Sequence, residues 1–209
     1  MTLGLSRYDH DSRVFLFSQI NIGGAMKKII LPSLLAAVVI LIWSSLSWMV
    51  IGWHMIDIFN LPDESVVQQI DATISNPGIY VYPGYPADQS EAGMEAWTNK
   101  HLAGPIFFMV YQPNGSDPML AGMFIKGFIL NFITAFIAAT LLFMTLAQYT
   151  SFRRRVTFVV LLGVFAGFMY PFSEWNWWQF PLGYTLVNFA DGILTWFFAG
   201  MILAWRIKP

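Results

Sequence analysis

Residues 26–63 read MKKIILPSLLAAVVILIWSSLSWMVIGWHMIDIFNLPD, and this stretch decides the fold. Two lysines, Lys27 and Lys28, stand before an apolar run from Ile29 to about Trp53. Asp57 and Asp63 follow it. A helix needs about 20 predominantly apolar residues to cross the hydrocarbon core, and this run is long enough. A basic n-region and the triplet Ser45-Leu46-Ser47 resemble a secretory signal. The apolar run continues through Trp48, Met49, Val50 and Ile51, beyond a typical signal core, so it reads as an uncleaved anchor.

Three further apolar stretches follow, at 121–147, 156–172 and 182–205. The third of the four is short, reaching about 25 Å at 1.5 Å per residue. Charge segregates between them. Lys27 and Lys28, then Arg153, Arg154 and Arg155, then Arg206 and Lys208 all fall on one side. Asp57, Asp63, Glu64, Asp71, Asp88, Glu91, Glu95 and Asp117 fall on the other, against Lys100 alone. Basic residues prefer the cytoplasmic side, so both termini are expected there, in a bacterial inner membrane. Residues 55–120 and the turn 173–181 are then extracytoplasmic, and 149–155 and 206–209 cytoplasmic. Trp48, Trp53, Trp175, Trp177 and Trp178 mark outer span ends and Trp205 an inner one, as an aromatic belt would. A sugar or aromatic-ligand platform is the second reading of these rings.

Composition agrees with a membrane protein. Of 209 residues, 56% are hydrophobic and 11% charged, against about 25% charged in soluble domains. No basic patch with interleaved aromatics suits nucleic acid. There is no cysteine, which excludes disulfides, thiolate metal sites and a cysteine nucleophile. Residues 1–25 lack sustained periodicity and read as a disordered tail or an over-extended start, with Met26 the natural beginning.

The roughly 65 residues between the first two spans are too many for a structureless loop. Leu61-Pro62-Asp63-Glu64 opens a helix, with Val66, Val67, Ile70 and Ile74 at helical spacing. Ile79–Tyr82 and Ile106–Tyr111 read as two strands able to pair. Residues 87–104 between them carry no clear pattern. The fold expected is all-α membrane: a four-transmembrane-helix bundle with a small extracytoplasmic α+β element between helices 1 and 2.

Asp191 is the sharpest single residue, because an acid near mid-span is costly and usually faces the bundle interior. Thr185, Asn188, Asp191, Gly192, Thr195 and Ala199 form a small, polar stripe suited to helix–helix contact. Gly163 and Gly167 permit close approach on the third span. Lys126 is expected to reach Asp191 as an intramembrane ion pair, fixing register or serving an ion site. His54, Lys126 and Glu174 are expected near one another at the outer surface. With Asn131, Asn188 and Asp191 they make a candidate ligand-binding set in the outer half of the bundle.

No metal or cofactor is expected: His54 and His101 are too few for a metal site, and no span carries a mid-depth histidine for haem. Ser44, Ser45 and Ser47 show no histidine–acid partner in a catalytic pattern. No catalytic residue is assigned. The expected partners are the lipid bilayer and either a membrane protein or a second copy.

From Met26 onward the chain resembles a family of bacterial inner-membrane proteins without an established activity. The residues that carry this are Trp43–Met49 running to Trp53-His54, Tyr80-Val81-Tyr82-Pro83, Trp175–Pro181, Tyr184–Asn188 with Asp191, then Trp196 and Ala199-Gly200. The resemblance implies an architecture and no mechanism. Two functions are carried forward. One is a non-enzymatic accessory, assembly or sensing protein. The alternative is a small-molecule or lipid binder or carrier, with an enzyme acting on lipid or quinone third.

Overall fold

The computed structural model describes residues 22–209, so the expectation for the leading segment falls, up to residue 21, outside the described residues. Four helices are long and apolar enough to cross a membrane: Met26–Ile51, Ala121–Met144, Phe152–Trp178 and Leu182–Arg206. The chain is a multi-pass membrane protein with a small extramembrane element between its first two spans.

Helix α1 spans Ile22–Leu46. It widens into a π-helical turn over Ser47–Ile51. Gly52 ends that turn at φ 67°, a left-handed conformation that favours glycine, and its N–H donates to Ser47 O at 3.2 Å. A 3-10 turn, Trp53–Asp57, then folds back beside the helix end. This reversal brings His54 to Ser47, seven residues earlier.

The extramembrane module contains α2 (Glu64–Thr73), β1 (Gly78–Tyr82), α3 (Glu91–Ala103) and β2 (Phe107–Tyr111). Asp63 caps α2 by accepting from Ser65 N–H at 2.8 Å, and Ser90 caps α3 by accepting from Gly93 N–H at 3.2 Å. The strands pair antiparallel, from Gly78 opposite Tyr111 to Tyr82 opposite Phe107. The Tyr111 hydroxyl donates to Asp71 at 2.5 Å and ties α2 to the ribbon. A two-stranded ribbon is marginal alone. Here Phe108 rests on Trp178 and Phe180, with ring centroids 5.1 and 5.9 Å away, which seats the ribbon on the spans.

Helix α4 spans Ala121–Met144, α5 Phe152–Met169, α6 Pro171–Trp178 and α7 Leu182–Arg206. Where a turn was expected over 173–181, residues 171–178 are helical. Pro171 sits in the first turn, where a missing N–H costs nothing, and restarts the chain after Tyr170. The basic triplet likewise lies inside α5, whose cap Ser151 accepts from Arg154 N–H at 3.4 Å.

Helix α7 packs against α5 and α1, and α4 packs mainly against α1, with a smaller contact to α5. The shared core is built of small residues, including Ala36, Ala135, Ala138, Ala139 and Ala199, with Leu142, Val159 and Leu203. Small residues let backbones approach in lipid, where hydrophobicity cannot drive helices together. A Cβ on Gly163 would lie 2.5 Å from Trp196 Cδ1 and 2.7 Å from its Cβ. One on Gly167 would collide with Phe189. Thus α7 works in two directions: Phe189 and Trp196 seat the α5 glycines, and Asp191 turns to the end of α1.

Arg155 is only 5% exposed. Its guanidinium donates to Ala204 O at 3.1 and 3.3 Å, to Thr150 O at 2.6 Å and to Tyr149 O at 3.3 Å. The cation therefore sits at the C-terminal end of α7, where carbonyls lack helical partners and the dipole favours positive charge. At the other end of α7, Tyr184 N–H donates to Asp57 Oδ2 at 2.8 Å. Gly183 leaves room for that carboxylate, which a Cβ would strike.

Candidate functional site

Both ends of α7 are thus held by side chains from other elements, and its polar stripe meets the module end of α1. Ser47 Oγ donates to Asp191 Oδ1 at 2.7 Å, and Trp43 Nε1–H donates to the same oxygen at 2.8 Å. Trp43 and Ser47 are four residues apart, so α1 presents both to α7. Trp53 Nε1–H donates to Ser47 Oγ at 2.7 Å. His54 Nε2 lies 3.0 Å from Ser47 Oγ and 3.6 Å from Asp191 Oδ2.

The hydrogens follow from counting. A hydroxyl has one proton and two lone pairs. The Ser47 proton goes to Asp191, and one lone pair takes the Trp53 N–H. The His54 contact is then a hydrogen bond only if Nε2 carries the proton and Ser47 accepts. His54 Nδ1 is buried without a partner, which suits an unprotonated nitrogen better than a stranded N–H.

His54 is 1% exposed. Its ring stacks on Trp48 at 3.9 Å and 3°, and meets the edge of Trp53 at 5.8 Å. Burial pushes the imidazole below its ordinary value of 6.5, and the Asp191 carboxylate opposes that shift.

Serine, histidine and aspartate therefore meet here, where the sequence suggested no such partnership for Ser47. The arrangement is not a catalytic triad. In a triad the acid orients one imidazole nitrogen and the serine proton passes to the other. Here acid and serine both lie at Nε2, the serine proton points at the acid, and Nδ1 faces no carboxylate. Nothing draws the proton from Ser47 toward histidine. The group is a closed polar lock between α1 and α7.

The lysine expected at Asp191 is not there. Among the described residues Asp191 pairs with His54 alone, and Lys126 is exposed on α4. The cause is helix adjacency: α4 packs on α1 rather than on α7. Glu174 is half-buried on α6. Asn188 Nδ2 donates to Tyr184 O at 2.8 Å on its own helix. Asn131 lines a cavity of about 520 Å³ between α1 and α4, with Ser44, Ser45, Trp48 and Met123. Ser44 and Ser45 there donate to Leu41 O at 3.0 and 2.8 Å. Of the six candidate residues, then, the structure joins His54 and Asp191 and adds Trp43, Ser47 and Trp53. Among the described residues no three His, Asp or Glu side chains gather as a metal site would need.

No family model, no curated protein and no solved structure matches the chain. What stands of the bacterial-family resemblance is the four-span architecture itself.

Proposed function

We propose that the chain is a non-enzymatic membrane protein, an accessory, assembly or sensing component that presents its module at the surface of a bacterial inner membrane. The observation that carries this is the closed lock. Asp191 Oδ1 accepts from both Trp43 and Ser47, and Ser47 has both lone pairs and its proton committed. What such a site supplies is rigidity. Orientation follows from charge: Lys27, Lys28, Arg206 and Lys208 share one end of the bundle, which the positive-inside rule makes cytoplasmic.

The test is purification of the untagged chain from its own membrane in mild detergent. A stoichiometric second protein, with no labelling of Ser47 by a fluorophosphonate, is expected. A lone monomer, or a labelled Ser47, would overturn the proposal.

One observation favours the small-molecule alternative, at a different place from the candidate set. A cavity of about 280 Å³ lies between the module and α6, lined by Tyr82, Trp97, Phe107, Trp177 and Trp178 with His101 and Gln179. The indole N–H of Trp97 is shut from solvent with no protein partner. An uncharged ligand with a flat face would suit the aromatic lining.

A further inference from the structure

The ends of three spans form a second cleft, far along the bundle from the lock. Its volume is about 540 Å³. Lys27 and Lys28 line it from the start of α1, and Arg206 and Lys208 from the end of α7. Its floor is apolar: Leu31 and Pro32, one turn beyond the lysines on α1, with Phe143 and Leu146 around the end of α4.

Three properties separate this cleft from an ordinary basic rim. No Asp or Glu side chain lines it. Among the described residues none of the four cations has a carboxylate within ion-pair distance. The contrast with Arg155 is direct, because that cation at the same end is consumed by backbone carbonyls. Finally, charge and apolar floor are arranged along the membrane normal. The lysines stand at the start of the first span, and Leu31 follows them into it, half exposed. Arg206 lies 5.3 Å over the Trp205 ring, and an interfacial tryptophan holds that cation at headgroup level.

Four like charges around one cleft favour an anion there. An anion that also covers Leu31, Phe143 and Leu146 must carry hydrocarbon. We infer that this cleft is a binding site for an anionic phospholipid. Its phosphate diester lies among Lys27, Lys28, Arg206 and Lys208, and the first methylenes of an acyl chain lie on the apolar floor. Basic pockets between spans suit such headgroups, and free phosphate would leave the floor uncovered. The occupied site would tie the two terminal helices together at the end opposite the lock.

The experiment is native mass spectrometry of the full chain released from nanodiscs of phosphatidylglycerol and phosphatidylcholine, with affinity obtained by titrating phosphatidylglycerol. The wild type is expected to retain one phosphatidylglycerol in preference to phosphatidylcholine. Each cation close to the bound headgroup contributes a factor of about five, so Lys28→Ser with Arg206→Ser should weaken retention about thirtyfold. Arg153→Ser with Arg154→Ser removes equal charge from the same end, outside the cleft, and should change retention less than about threefold. Equal losses in the two double variants would mean diffuse surface attraction and would overturn the proposal. So would displacement by inorganic phosphate, or indifference to headgroup charge. These variants leave the lock untouched, so their failure would not bear on the proposed non-enzymatic role.

Discussion

Removing donors from Asp191 one at a time should cost little, and removing both should cost more than their sum. Trp43→Phe deletes one N–H and keeps a ring beside Phe198, whose centroid lies 4.9 Å away. Hydrogen bonds between membrane helices average about 0.6 kcal/mol and reach about 1.7, less than in water, because the alternative state also finds partners. With Ser47 still donating, about 1 kcal/mol is expected for this variant. Ser47→Ala removes the second donor and also strands the Trp53 N–H, so about 2 kcal/mol is expected. In the double variant Asp191 keeps only His54, at 3.6 Å and beyond hydrogen-bond range. The carboxylate, 14% exposed, then lacks a donor, which costs about 1–3 kcal/mol more. The double variant should therefore fall about 4–6 kcal/mol below wild type, with a coupling of at least about 1 kcal/mol. A further cycle checks the assignment. With Asp191→Leu as background, the Trp43 N–H has lost its acceptor, so Trp43→Phe should become neutral or stabilising. Unfolding in mixed micelles by SDS titration, followed by circular dichroism, reads all of these. Additivity within about 0.3 kcal/mol would refute the reasoning.

Four other outcomes follow from the same geometry. Gly163→Ala should destabilise by about 1–3 kcal/mol in the same titration, because the new methyl meets the stem of Trp196. Gly192→Ala, which meets nothing within 4 Å, should be neutral or stabilising by up to about 1 kcal/mol. Arg155→Ala should cost about 2–4 kcal/mol by stranding the carbonyls of Ala204 and Thr150, and Arg155→Lys should recover only part, since an ammonium lacks the guanidinium fork. For His54 the folded imidazole titrates below its ordinary 6.5, so the unfolded chain binds the extra proton. Its contribution is full above 6.5 and is lost as pH falls through that value toward the folded one. Micelle unfolding followed from about pH 7.5 to 5 should show this slope, and His54→Gln should flatten it.

Hydropathy and charge made the spans legible, since both depend only on composition along the chain. The ribbon was legible from its β-branched and aromatic runs, and α2 from its cap and apolar spacing. Helix α3 was not, although Ser90 and Gly104 mark its ends, because Glu91–Ala103 has no apolar stripe for periodicity to find. Asp191 stood out as an intramembrane acid, and its partner did not. Lys126 was the nearest opposite charge by depth, but depth says nothing of which helices touch. Trp43 and Ser47, four apart on α1, carried a signal of a shared polar face. His54 carried none, because only the turn at Gly52 returns it to Ser47.

The most direct test of the lock is the indole N–H spectrum of 15N-tryptophan protein in nanodiscs. Of nine tryptophans, Trp43 and Trp53 donate within the lock. Their N–H signals should resist hydrogen exchange, with Trp43 shifting on Asp191→Asn and Trp53 on Ser47→Ala. Rapid exchange at both positions, or no response to either substitution, would contradict a closed polar contact between the first and last spans.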